Sequence, residues 1–459
     1  MMNLTIKHNQ VNNSSGRDDS YHPKTTSEST IEILNPASIK DWILVSAHHC
    51  APNMGSEHAV GWNLVSRLAR HHPILLITQN NEYRAVVEAG VAVLRQEGHH
   101  IEAFFVRHGA TTDGRKNNLR VFYYLTYVTY QRRVLALAKA LMKTHRIVAI
   151  HHLTIVGFRE PGFLWKLDVP FIWGPVGGLV YAPRILFSEL SRKMRIFQSI
   201  RNLLTWIQFS ASPRVRAAYR AASRTGRFIA ATPDIGERFQ RRFGGGFVWI
   251  PETGSTIDQS TSAHLSHPIV GRPLELLWLG GLLDIKPLGI LLDAIACVPD
   301  HQRRIHLSVV GDGDARSRYE QHAKSLGANA TFVGWIDHEE AKRQFNDADL
   351  FVLLSIKDLT TNVVFESLGA GVPIVCLDHH GYASIVDESC GRKIPLLAPD
   401  LLRQRLAHEL IRFLDNPSLL DPLRIGALRR AASFSWDRNA SAIGQIYADI
   451  KNRTEKIAS

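Results

Sequence analysis

Two Rossmann-like, doubly wound α/β domains are predicted by three features of this sequence. Strand-like apolar runs alternate with helical patterns along the whole chain, as in parallel sheets covered on both faces. The 459 residues exceed what one hydrophobic core holds. The stretch from Gly254 to Pro273 is rich in Ser, Thr, His, Gly and Pro, and reads as a linker between halves of about 200 residues.

Taken in order, residues 1–40 begin with a polar stretch of Asn, Ser, Thr and His without an apolar centre, which fits a disordered tail and no secretory signal. The first domain is assigned to 41–255, with strands at Ile43–Ala47, Ile74–Thr78, Ile147–His151, Phe171–Gly174, Phe228–Thr232 and Val248–Pro251. Residues 256–273 form the linker. The second domain, 274–435, has strands at Leu274–Leu279, Ile305–Val310, Thr331–Val333, Leu350–Leu354 and Pro373–Leu377, and 436–459 is a final helix. No run of about 20 apolar residues is present, so nothing is expected to span a bilayer. Cys50, Cys297, Cys376 and Cys390 make no metal-like pair and read as reduced cytosolic thiols in or beside strands.

The net charge of +12 admits nucleic acid, a membrane or an anionic substrate as partner. No nucleic-acid motif accompanies it, so nucleic acid is not expected. Nine basic residues lie between Arg184 and Arg224 against one acid, Glu189, interleaved with Phe197, Trp206 and Phe209. That pattern suits a basic amphipathic helix on an anionic membrane surface, and equally a helix packed on its own domain. The expected location is the cytoplasm, with peripheral attachment to the inner face of the membrane.

The chemistry-bearing residues cluster at strand ends. After the Leu350–Leu354 strand comes Asp358, and after seven further residues Glu366, expected on the first turn of an Ala/Gly-rich helix. Backbone amides at the positive end of that helix suit a phosphate. One carboxylate then accepts hydrogen bonds from a sugar and the other from a ribose. Any strand–loop–helix unit can carry two acids so spaced, so the flanking segments decide. After the first strand of the second domain stand Gly281 and Lys286, which on its own reads as a solvent-exposed turn lysine. Gly311 and Gly313 permit a tight turn after the next strand, and Gly334-Trp335 opens a later loop. In the first domain, Gly55 follows the first strand, while His151 and His152 end another. Adjacent residues face opposite ways, so only one of the two histidines is expected in the cleft. A plain turn glycine and a buried structural histidine are the alternatives.

The order of these pieces resembles the retaining glycosyltransferases of family 4, group 1 transferases with the GT-B fold. The likeness is close over most of 274–380 and looser in the first domain. It implies that Lys286 neutralises the donor diphosphate, that Gly311 and Gly313 underlie the nucleotide, and that the Trp335 loop meets the base. Asp358, Asn362, Val363 and Glu366 fall on the paired-acid motif, Gly55 on the glycine loop, and His151 or His152 on a histidine near the reacting sugar. The Gly-Pro-Val-Gly-Gly run at Gly174–Gly178 resembles a subgroup of these enzymes. The final helix is expected to return to the first domain. Two departures stand out: Asp358 where the first acid is usually Glu, and Gly281 where the family has an Arg.

The function so implied is a hexosyltransferase-type enzyme that moves a sugar from a nucleotide-sugar donor to a glycan or lipid-linked acceptor in polysaccharide or glycolipid synthesis. The nucleotide sugar is a substrate, and neither cofactor nor metal is expected. A nucleotide-sugar 2-epimerase and a non-catalytic partner in a polysaccharide assembly complex share the architecture.

Overall fold

The structure is a computed structural model that describes residues 40–52, 54, 56–108, 120–155, 157–256, 271–359 and 361–458. The N-terminal tail, Gly55 and linker residues 257–270 lie outside the described residues.

The first sheet has seven strands: β1 (Asp41–Ala47), β2 (Ile74–Gln79), β3 (Ile101–Val106), β4 (Arg146–Thr154), β5 (Phe171–Val176), β6 (Arg227–Ala230) and β7 (Val248–Trp249). Their order is β3-β2-β1-β4-β5-β6-β7. The second sheet holds β8 (Leu274–Leu279), β9 (Ile305–Val310), β10 (Ala330–Gly334), β11 (Leu350–Leu353), β12 (Ile374–Leu377) and β13 (Gly391–Ile394), in the order β10-β9-β8-β11-β12-β13. All described pairings are parallel. Helices cover both faces, so central strands such as β11 and β12 are unbroken apolar runs.

The sequence missed two strands, β3 and β13, and both lie at sheet edges. An edge strand is half solvated, so Glu102 in β3 and Arg392 and Lys393 in β13 interrupt the apolar signal. The Arg184–Arg224 segment is also not one helix. It divides into a 3-10 turn at Arg184–Glu189 and two helices, Arg192–Ala211 and Pro213–Thr225, broken where Ser212 caps the second and Pro213 begins it.

Several contacts cross the two halves. Residues 182–190, assigned on sequence to the first domain, bury Ala182, Leu186 and Leu190 in the core of the second. Arg403 of the second half clamps this segment with both Glu189 carboxylate oxygens, at 3.0 and 2.9 Å, while its Nε holds Asp293 at 2.7 Å. In return, the last helix, Trp436–Ala458, lays Trp436, Ala440, Ile443, Tyr447 and Ile450 into the core of the first sheet. The spacing of those residues is one helical stripe. Cys297, expected in or beside a strand, is instead exposed at the end of the Leu288–Ala296 helix; all four cysteines are free.

Asp349, just before β11, is buried and binds three elements. Its carboxylate accepts from Arg272 at 2.7 and 2.9 Å, from Arg424 at 2.7 Å and from the Glu275 backbone N–H at 3.0 Å. Arg424 is itself buried, so Asp349→Ala strands a charge inside the protein. The expected loss is about 3–5 kcal/mol of stability. Urea denaturation checks it, and a loss below about 1 kcal/mol contradicts the network.

Candidate functional site

Each sheet reverses its winding once, between β1 and β4 in the first and between β8 and β11 in the second. Ligands of doubly wound sheets bind outside the strand C-termini at such points. In the second sheet this crevice lies between the loop after β8 and the loop after β11, joined by the Ile356 N–H donating to the Ile285 carbonyl at 2.9 Å. Lys286 and Asp358 stand on these two loops, with Nζ and Oδ2 3.8 Å apart.

Glycines shape the crevice because backbone packs on backbone. A Cβ on Gly311 would stand 2.2 Å from the Gly280 carbonyl oxygen, and one on Gly313 2.4 Å from that of Leu282. Both glycines have positive φ. The Lys286 amine folds back over Gly280 so closely that a Cβ there would lie 2.9 Å from Nζ. Gly281 differs: its Cβ position meets nothing nearer than 3.6 Å, so a larger side chain fits. Burial pushes the Asp358 carboxyl above its usual range, against the opposing pull of Lys286.

The following helix runs from Asn362 to Gly369. Glu366 therefore stands on its second turn, not the first. Thr361 supplies no side-chain cap, so the helix start keeps amides for a ligand. Asn362 accepts from Thr253 Oγ1 at 2.6 Å, which ties that helix start to the end of the first half. Glu366 lines a cavity of about 930 Å³ together with Trp62, Asn63, Thr253, His338, Asn362 and Val363. Burial raises its carboxyl too, and His338 at 3.9 Å opposes the shift. On the far side of the loop after β9, Trp335 is 78% exposed, a free aromatic platform after Gly334.

In the first domain the expectation for the histidine pair is corrected. His151 is fully buried, with Nδ1 2.6 Å from the Tyr447 hydroxyl and Nε2 2.6 Å from the Gly174 carbonyl. Both nitrogens are spent on structure. His152 faces the other side of the sheet, equally buried, with Nε2 3.1 Å from the Glu160 carbonyl. Burial drives both rings to a pKa of about 4, hence neutral. Neither opens to the cleft. The sequence reading overlooked His48, at the C-terminal end of β1. Its ring is buried, makes no hydrogen bond and lies 4.4 Å from the His49 ring and 4.6 Å from Tyr130. Burial and the adjacent imidazoles push it down to about 2. Nothing in a lone His-His pair marks it; its place beside the β1–β4 switch point does.

The Gly174–Gly178 run brings the halves together. A Cβ on Gly177 would stand 2.3 Å from a methyl of Leu359, next to Asp358. Among the described residues no group of three or more His, Cys, Asp or Glu side chains is placed to hold a metal ion.

Residues 273–416 match the family described as Glycosyl transferases group 1. The D-inositol 3-phosphate glycosyltransferase of Streptomyces bingchenggensis is 24% identical over 257 residues, 51% of this chain and 55% of that protein. The chain spans about half the length of the curated relatives it matches. Sucrose-phosphate synthase from Thermosynechococcus elongatus superposes with a TM-score of 0.58 at 18% identity, over 92% of this chain and 100% of that one. Anabaena HepE, solved with UDP, gives 0.54 at 15% over 89% and 100%. The fold is GT-B.

The raised Glu366 carboxyl carries a stability consequence. A carboxyl whose pKa is higher folded than unfolded gives the folded state extra stability only while protonated, and that is lost as pH rises through its raised value. Glu366→Gln should therefore raise the melting temperature of the ligand-free protein by about 1–4 °C at about pH 8. The gain should shrink toward about pH 4, where the unmodified carboxyl is itself protonated. A pH series of melting curves checks this; a gain that grows in acid contradicts it.

Proposed function

Residues 273–416 carry a group 1 glycosyltransferase domain, and from that premise we propose that the protein is a retaining glycosyltransferase using a nucleotide-sugar donor. The observation that carries this reading is the meeting of Lys286 and Asp358 at the second switch point, beside the start of the helix that bears Glu366. Each group has a job suited to its chemistry. Glu366 accepts hydrogen bonds from the ribose, and the loop at Trp335 receives the base. Lys286 and the amides at Asn362 and Val363 receive the diphosphate, whose negative charge grows as the sugar leaves. Asp358 holds the donor sugar. The attacking group is a hydroxyl of the acceptor, and the departing diphosphate takes its proton, while Lys286 and the helix amides, and not a metal, neutralise the diphosphate in this reading. UDP bound to HepE, a protein of the same fold, supports a nucleotide donor.

The acceptor in this reading is a glycan or lipid-linked sugar, reached at a membrane. The Arg192–Ala211 helix supports that placement because its apolar face is turned outward. It buries Gln198, Thr205 and Phe209, yet exposes Ile196, Phe197, Ile200, Leu203, Leu204 and Trp206 beside Arg192, Lys193, Arg195 and Arg201. An apolar stripe flanked by cations is the pattern of a helix lying in an anionic interface. The Pro213–Thr225 helix is different: it packs Val215, Ala218, Tyr219 and Ala222 into the core. No described helix is long and apolar enough to cross a membrane.

Four measurements test the reading. Glu366→Ala should weaken nucleotide-sugar binding by about 1–3 kcal/mol in calorimetry, and unchanged affinity rejects its role. Lys286→Ala should lower turnover about 100-fold, and Gly281→Arg should restore part of it, since the space at 281 is open. Turnover that needs an added acceptor separates a transferase from an epimerase. Finally, the protein should sediment with anionic and not with neutral vesicles, less so as salt rises, and Trp206→Ser with Leu203→Ser should abolish it. Equal binding to both vesicle types leaves the helix without a membrane role.

A further inference from the structure

The loop after β11 carries Asp358, and two of its carbonyls are held by side chains from the segment that follows β12. The pairing of β11 with β12 ends at Leu353, so the peptide groups of Ser355 and Ile356 lie beyond it. Both residues are fully buried, and a buried carbonyl without a donor is costly. The Tyr382 hydroxyl donates to the Ser355 carbonyl at 2.9 Å, and His380 Nε2 lies 2.8 Å from the Ile356 carbonyl. Ile356 spends its own N–H on the Ile285 carbonyl at 2.9 Å. That one residue therefore stands between His380 and the loop of Lys286, with Asp358 two positions on.

His380 takes this place at a conformational cost. Its φ is 62°, a left-handed value that favours glycine. Gly381, next along the chain, has φ −66°, a value open to any residue. Asp300, the other described non-glycine residue of positive φ, is exposed, whereas His380 is packed. An outlier kept by its surroundings is a pointer to function. The His379 ring lies 3.6 Å from the His380 ring, centre to centre. Burial, and after it that ring, bring the His380 pKa down to about 3, so it is neutral near pH 7. A carbonyl only accepts, which puts the single ring proton on Nε2. His379 and His380 also border a cavity of about 590 Å³ with Asp234 and Arg238 of the first half. A shorter residue at 380 enlarges that space and opens no sealed one.

We propose that His380 is a positioning residue for Asp358, holding the Ile356 peptide so that the loops of Asp358 and Lys286 keep their register. Tyr382 steadies the preceding peptide. The role of Asp358 here rests on the glycosyltransferase reading, whereas the way its loop is held rests on the hydrogen bonds alone. Without the His380 proton the Ile356 carbonyl turns toward another donor, and a peptide that rotates carries Asp358 with it. A shift of about 1 Å at such a group slows a reaction about 100-fold. Donor affinity, set by Glu366 and the diphosphate contacts, should change little.

The test uses the full chain and follows release of nucleoside diphosphate from UDP-glucose, GDP-mannose or ADP-glucose with a fixed mixture of glycan and lipid-linked acceptors. His380→Gly should lower kcat at least about tenfold and leave the donor KM within about threefold. Its melting temperature should not fall, because a φ of 62° suits glycine. His380→Gln, whose side-chain amide also donates, should recover most of kcat. Hydrogen exchange of the 355–359 segment, read by mass spectrometry, should quicken in His380→Gly and not in His380→Gln. Unchanged kcat and exchange in His380→Gly overturn the proposal. So does a loss of kcat that His380→Gln fails to recover or that tracks a fall in melting temperature. Quickened exchange in His380→Gly of a protein that turns over none of the three donors keeps the positioning contact and removes the transferase reading.

Discussion

Backbone-to-backbone packing between the loops that follow β8 and β9 is the constraint from which the site in the second half is built. The carbonyls of Gly280 and Leu282 occupy the space where side chains at 311 and 313 would otherwise begin. With both strands parallel and adjacent, their loops leave the sheet on the same edge and must share it. Glycine at 311 and 313 lets them interlock, the Leu282 N–H donating to the Asp312 carbonyl at 3.0 Å. Only then does the chain turn so that Lys286 folds over Gly280 and meets Asp358. An alanine at either position would separate the loops, and the lysine would lose the carboxylate across the crevice.

The charged groups of the cleft are placed against the interest of the empty protein. Asp358 and Glu366 are carboxyls held above their ordinary range by burial, and Lys357 is an amine held below its own. Each would gain from solvent, yet each is kept at the cleft by a scaffold that does not move with it. Such strain is affordable because the surrounding sheet is over-determined: β11 is fully buried and Asp349 anchors its entry through two arginines. Stability surrendered in the empty state reappears as affinity in the occupied one.

The two halves are wired together by exchanged segments. The second half contains Leu186 and Leu190 of the first, and the first contains Tyr447 and Ile450 from the end of the chain. Tyr447 also spends a hydrogen bond on His151, inside the sheet. A cleft whose walls are each packed with a piece of the other keeps its register while leaving the space between open. The outward apolar face of the Arg192–Ala211 helix follows from the same wiring. Asn202 of that helix exchanges two hydrogen bonds with the Ala182 backbone, at 3.0 and 2.8 Å, and Thr205 holds Arg159. Its polar face is thereby taken inward, and its apolar face is left outside.

By itself the sequence determined the elements whose signal is local. Central strands such as β11 and β12 are legible because burial on both faces demands an unbroken apolar run, and Gly311, Gly313, Lys286, Asp358 and Glu366 are legible because turns fix which residues follow a strand. Edge strands β3 and β13 were not, since half-solvated strands tolerate charge. The tertiary structure alone decided which side chains meet. It took Nδ1 of His151 into a buried contact with Tyr447 of the last helix, 296 positions away, which no local pattern encodes. It moved residues 182–190 into the core of the opposite half. Pattern in a sequence reports what a residue's neighbours along the chain require of it, whereas charge and hydrogen bonding are settled by neighbours in space.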